Sequence, residues 1–316
     1  MTKKTICSIA LILSLWSVGV VVPTGASATF PGANGRIAFL SYTDGPSTCC
    51  SVRSILPNGS DEDRLASGRQ WIRASYSADG TSIALSDLGR GGSRIVVQDL
   101  TSGDRSVVLT RAAGLNVWSL AMAPDGEAVV FCGFTRSKEH LYSIHVDGSE
   151  LQRLPGTGPY CHVDWGVDGR LVAASDSFEP GGVKVATMDP DGSDKELLLT
   201  WPSHKPSWGV IYNLVPSWSP DGSKIVFGAQ RRSVWPDVWT IDVDGSDLTN
   251  ISRTHSIGET APVYSPDGTT IAFARTDDVQ GFSGFDVWLM GEDGSDPVSI
   301  VSTANRQEYS LSWQAV

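Results

Sequence analysis

The stretch Trp218-Ser219-Pro220-Asp221-Gly222-Ser223-Lys224-Ile225-Val226-Phe227 decides the fold. A large aromatic closes one run, a Pro-Asp-Gly turn follows, and a β-rich run leaves it. Asp-Gly between two β-rich runs is the strongest short-range hairpin signal, and it predicts a type I′ turn with positive φ at both central residues. Further along, Val238-Trp239-Thr240-Ile241-Asp242 runs into a second such turn, Asp244-Gly245. Two hairpins in succession make a unit of four antiparallel strands.

The unit repeats along the chain. Its first turn recurs at Ala78-Asp79-Gly80, Pro124-Asp125-Gly126, Val167-Asp168-Gly169 and Pro266-Asp267-Gly268, with an abbreviated copy at Ala33-Asn34-Gly35. The glycines are spaced 45, 46, 43, 53 and 46 residues apart. The second turn keeps the same period at Asn58-Gly59, Ser102-Gly103, Asp147-Gly148, Asp191-Gly192 and Asp293-Gly294. Such a unit cannot bury both faces alone, so the copies must stack radially. The expected fold is all-β: a six-bladed β-propeller of four-stranded antiparallel blades over residues 29–316. The 316 residues would otherwise suggest about two domains, but the repeat overrides that prior.

The ends of the chain predict how the ring closes. A large residue lies three positions before each interior turn Asp: Tyr76, Met122, Trp165, Trp218 and Tyr264. The first copy begins too close to the start of the propeller to have that strand, whereas Tyr309-Ser310-Leu311-Ser312-Trp313 has the strand without its turn. The C-terminal strand is therefore expected to join the first blade.

Before the repeats, Lys3 and Lys4 precede an apolar run from Ile6 to Val22, followed by Pro23 and Ala26-Ser27-Ala28. This order reads as a signal peptide over residues 1–28, cleaved on export, with no stable membrane span afterwards. Four cysteines remain, and an oxidising compartment permits disulfides. Cys132 ends a blade-three strand and Cys161 opens blade four near the same rim, so these two are expected to pair. Cys49 and Cys50 are left as a vicinal disulfide or as thiols.

Ser219-Pro220-Asp221-Gly222 and Ser265-Pro266-Asp267-Gly268, each with an aromatic before and an Asp-Gly-Ser turn after, resemble the TolB-type, WD40-like propeller repeat. The resemblance covers the whole of residues 29–316. It implies an exported periplasmic or cell-envelope protein that binds or scaffolds, often with protein partners. The separate α/β domain of TolB itself is not recognisable before the repeats. Similar repeats also occur in propeller lyases and in peptidase propellers.

The function classes narrow from the same residues. A formal charge of −11 disfavours nucleic acid, whose phosphates need clustered Lys and Arg. Gly281-Phe282-Ser283-Gly284-Phe285 misses the nucleophile-elbow pattern at its last position. The Asp-rich turns around Asp191 and Asp244 lack the register of a calcium loop, and they read as turns whose side chains bond local backbone.

In a four-strand blade the tight Asp-Gly turns share a bottom rim and the long, variable connections share a top rim. Binding is expected on the top rim. Its candidate ligand-binding residues are Trp71, Arg73, Trp118, Tyr160, Trp201, Trp208, Tyr212, Arg231, Arg232 and Trp235, joined by Phe282 and Phe285. Aromatics and Arg suit binding hot spots, sugar stacking and anionic groups, although part of this aromatic set is expected to cap the inter-blade core. His162, His204 and His255 fall in or beside successive top-rim connections and could together ligate a divalent metal. No cofactor is otherwise indicated. The leading expectation is a monomeric, non-catalytic propeller that binds a protein, carbohydrate or small anionic ligand. The alternative is a metal-assisted polysaccharide lyase or hydrolase working at the channel mouth.

Overall fold

The computed structural model describes residues 30–43, 50–68, 71–135, 138–175, 182–201, 214–230, 235–254, 256–277, 284–303 and 306–316. They form six four-stranded antiparallel sheets arranged as blades. The first blade contains β1 (Asn34–Thr43), β2 (Cys50–Ile55) and β3 (Asp63–Gly68). The second holds β4 (Trp71–Tyr76), β5 (Ser82–Gly89), β6 (Gly92–Asp99) and β7 (Arg105–Leu109). Blade three is β8 (Asn116–Met122), β9 (Ala128–Thr135), β10 (Lys138–His145) and β11 (Gln152–Arg153). Blade four is β12 (Tyr160–Trp165), β13 (Leu171–Ser175), β14 (Val183–Met188) and β15 (Glu196–Trp201). Blade five is β16 (Ser217–Trp218), β17 (Lys224–Ala229), β18 (Asp237–Asp242) and β19 (Thr249–Asn250). Blade six is β20 (Gly258–Tyr264), β21 (Thr270–Thr276), β22 (Asp286–Gly291) and β23 (Val298–Val301). The chain then returns to blade one as β24 (Arg306–Ala315), which pairs antiparallel with β1.

Each buried cluster joins at least two neighbouring blades, which is why the blades cannot stand alone. Ala38 and Leu40 of blade one meet Tyr76, Ile83 and Leu85 of blade two. Across the closing seam, Ile37, Phe39 and Trp313 meet Val263, Ala272 and Val287 of blade six. Burying a Phe, Leu or Ile side chain contributes about 1.5–3 kcal/mol relative to exposure, so the six seams together dominate stability.

The turns differ from the expected type I′ geometry. Each turn glycine takes positive φ, as at Gly80 (67°), Gly222 (72°) and Gly245 (84°), but the preceding Asp does not. The N–H of Gly80 bonds the carbonyl of Ser77, and that of Gly222 bonds Ser219. These are type I turns closed by a left-handed glycine. The Asp carboxylate accepts the N–H two residues on, at Asp79–Thr81, Asp125–Glu127 and Asp221–Ser223 (3.0, 2.9 and 3.0 Å), and so holds the turn. Ala33-Asn34-Gly35 departs further. Ala33 exchanges backbone hydrogen bonds with Val316, and Asn34 begins β1 opposite Ala315, so this copy is part of the closure and not a hairpin.

The second turn series has an additional reason for glycine. A Cβ at Gly148, Gly245, Gly294 or Gly59 would lie 3.1, 3.3, 2.1 or 3.1 Å from a backbone oxygen of Val108, Leu198, Ile251 or Ile300. Each of these oxygens belongs to the outer part of the preceding blade. The glycine thus lets adjacent blades approach backbone to backbone.

Candidate top-rim site

The innermost strand of each blade, β24 in blade one and the first strand in the other five, runs from the top rim towards the bottom rim. Its inner edge has no neighbouring strand, so its N–H groups need other acceptors. Side chains one position before the large bottom residue supply them. Ser312 Oγ accepts from Tyr76 N (3.1 Å), Ser75 Oγ from Met122 N (3.1 Å), and Asp164 Oδ2 from Trp218 N (2.8 Å). Asp164 is fully buried, and burial pushes its carboxyl up to about 7. Its other oxygen, Oδ1, has no hydrogen-bond partner among the described residues.

Nearer the top rim the inner strands bulge. Register shifts fall between Trp71 and Arg73, Val117 and Ser119, Tyr160 and His162, and Thr260 and Val263. The pairing of β24 with β1 shifts at the corresponding level, between Ala38 and Leu40. Ala261 and Ser310 take positive φ there (50° and 60°), as a bulge allows. The bulges hold Arg73, Ser119, His162 and Ser310 at one level of the ring, all buried. The Ser119 hydroxyl bonds the Cys161 carbonyl of the next blade. Cys132 and Cys161 form a disulfide with Cα atoms 4.8 Å apart, which ties β9 to β12 at this level.

The structure divides the expected binding set. Trp201 is buried, donates from Nε1 to the Gln230 carbonyl (2.6 Å) and packs edge-on against Trp239. Trp235 is buried beside Gly258, where an added Cβ would come 3.1 Å from its ring. Tyr160 is buried with the Lys195 ammonium 5.0 Å from its ring centroid. Phe285 is fully buried against Tyr309. Arg73 lies in the electrostatic neighbourhood of the Tyr42 and Tyr309 phenols, and its own burial lowers it to about 10. These residues cap seams between blades and do not form an exposed aromatic rim.

Trp118 remains partly open and stacks on Phe134 with ring centroids 5.4 Å apart. Trp71 lies at the top of β4, and its side chain is outside the described set. Trp208, Tyr212, Arg231, Arg232, Phe282, His204 and His255 lie outside the described residues. His162 is buried within β12. Among the described residues no group of three or more His, Cys, Asp or Glu could hold a metal ion.

At the opposite end, Phe30 is buried in one cluster with Ala78, Ala123 and Ala315, at the bottom ends of three inner strands. Sequence reasoning passed over Phe30, and it passed over the buried acids Asp164, Glu259 and Glu308. The two Glu carried a readable signal: each stands five residues before the bottom aromatic of its repeat, Tyr264 or Trp313.

No protein-family model matches the chain. The uncharacterized protein Atu1656 of Agrobacterium fabrum is 29% identical over 189 residues, covering 58% of this chain and 57% of its own length. A Tol-Pal system protein TolB of Anaeromyxobacter dehalogenans is 30% identical over 115 residues, covering 36% of this chain and 23% of that protein. The chain thus spans between about a quarter and three-fifths of the curated relatives it matches. The crystal structure of TolB from Acinetobacter baumannii superposes with a TM-score of 0.73 at 18% identity, over 89% of this chain and 67% of that one. The chain is a six-bladed β-propeller that is similar in fold, and over part of its sequence, to TolB.

Proposed function

We propose that this chain is an exported, non-catalytic propeller that binds a partner through its top-rim loops. The observation that carries the proposal is the asymmetry of the two rims. The bottom rim consists of short, nearly identical turns whose Asp side chains are spent on their own backbone, and Phe30 sits at the bottom ends of the inner strands. The top rim carries the connections that differ in length and chemistry, on bulged inner strands braced by a disulfide. Variable loops on a rigid scaffold are where binding resides. Similarity to a component of a named multi-protein system favours a protein partner over a carbohydrate or small anion. In this reading residues 1–28 are the export signal and the released propeller acts outside the cytoplasm.

The test compares a top-rim variant, W118A/R231A/R232A, with a bottom-rim variant, D125A/D168A, after both are shown to fold by circular dichroism. Each is used as bait for cell-envelope proteins and against a glycan panel. The proposal expects the top-rim variant to lose captured material that the bottom-rim variant keeps. The reverse pattern, or turnover of a glycan by the metal-loaded protein, would overturn it.

A further inference from the structure

Two successive blade joints carry the same set of acids, which the proposed binding role does not use. Glu259 of β20 and Glu308 of β24 occupy equivalent positions and are 1% and 0% exposed. Each meets a threonine five residues upstream: Thr254 Oγ1 lies 3.0 Å from Glu259 Oε2, and Thr303 Oγ1 lies 2.9 Å from Glu308 Oε1. An aspartate opening the third strand of the preceding blade stands at each joint. Asp237 Oδ1 is 3.1 Å from the same Thr254 hydroxyl. Asp286 takes the Thr303 backbone N–H and acts electrostatically on Glu308.

A hydroxyl has one proton to give. Thr254 Oγ1 faces carboxylate oxygens of both Asp237 and Glu259, with the Ile257 carbonyl a third acceptor at 3.5 Å. With both acids ionised, one buried carboxylate oxygen would meet the lone pairs of the hydroxyl. One additional proton removes the conflict: Glu259 donates to Thr254, which donates to Asp237, whose other oxygen accepts from Asn250 at 2.9 Å. At the second joint Glu308 Oε1 also lies 3.3 Å from Arg306 Nε. Its Oε2 is enclosed without a hydrogen-bond partner among the described residues, an expensive place for a negative charge.

Among the described residues, the charges around the two acids leave that conflict in place. Arg275 Nη1 is 3.7 Å from Glu259 Oε1, while Asp237 opposes it. Arg306 is shared between Glu308 and Glu62, Glu62 also holds Arg53, and both Asp286 and Glu62 disfavour a charge on Glu308. Burial is the largest influence on both acids and raises them, Glu308 to about 7.

We propose that each Asp–Thr–Glu set is a proton-binding site that holds one proton while its joint is closed, so that the top-rim loops between blades five, six and one respond to acidification. The sign follows from linkage. An acid raised in the folded state contributes stability that is full below its ordinary value and lost as pH rises through its folded value.

The test measures Tm for the wild type and for E259Q/E308Q between about pH 5 and pH 8. Glutamine keeps the neutral shape and can still donate to the threonine. Other groups that titrate in this range, such as Asp164, are common to both proteins and cancel in the difference. The wild type should lose Tm relative to the variant as pH rises. The infrared carbonyl band of protonated carboxyls should weaken in E259Q and again in the double variant. Parallel Tm curves with an unchanged band would overturn the proposal. If the glutamine variants do not fold, T254V, which keeps both acids, must shift the titration of the wild-type band, and an unshifted titration would equally overturn it.

Discussion

Gln314 and Gly80 are 234 residues apart in sequence, yet Gln314 Nε2 donates to the Gly80 carbonyl at 2.7 Å. The Gln314 Oε1 accepts from Arg36 N at 3.1 Å, so one amide joins the last strand, the first strand and the first turn of blade two. An added Cβ at Gly80 would lie 1.9 Å from the Ala315 carbonyl oxygen. Q314A leaves two backbone groups without their partner and is expected to cost about 1–3 kcal/mol. Deleting residues 309–316 removes most of β24, the inner strand of blade one, and should abolish the cooperative transition. Urea unfolding checks both, and an unchanged midpoint in the truncated chain would contradict closure by β24.

The second-turn glycines provide an internal comparison. Gly103 and Gly294 have φ of 78° and 86°, but a Cβ at Gly103 meets nothing within 4 Å, whereas one at Gly294 lies 2.1 Å from Ile251 O. G103A should cost only the left-handed backbone penalty, about 1–2 kcal/mol. G294A should cost clearly more, because blade six must also move away from blade five. Equal shifts in the urea midpoint would show that the blades do not abut there.

The fold was legible because its signal repeats: one Pro-Asp-Gly turn is a weak clue, and a spaced series of them is a strong one. The closure was legible because Trp313 has the strand context of Trp218 without the turn. The type of turn was not, since the sequence Asp-Gly suits both a type I′ turn and a type I turn ended by glycine. Which of the rim aromatics are buried was less legible. Trp201 and Trp235 look like exposed loop aromatics in sequence but fold back into seams, as their flanking strands dictate. Asp164 and Glu259 look like ordinary polar residues until the innermost strand is seen to have no strand on its inner side.

The bridge between Cys132 and Cys161 closes a loop with a sequence separation of 29. Replacing both with alanine should cost about 3–4 kcal/mol, chiefly by freeing the unfolded chain. Non-reducing peptide mapping checks the pairing, and calorimetry checks the loss. A Cys50 peptide joined to Cys132 would contradict it.

Asp164 supplies the acceptor for Trp218 N from the inside of the ring. D164A removes that acceptor and should cost about 1–3 kcal/mol, while D164N keeps it. Burial raises the Asp164 carboxyl to about 7, so its contribution is full below the ordinary aspartate range and lost as pH rises. Wild-type Tm should therefore fall relative to D164N from about pH 4 to pH 7. Two parallel curves would place Asp164 in contact with solvent.

The proposed function places the partner on the top rim. A photo-crosslinking amino acid placed at Trp118, and separately at Asp168 in a bottom turn, tests it in the producing cell with the full chain. Adducts of defined mass should form from position 118 and not from position 168. Adducts from position 168 alone would contradict binding at the top rim.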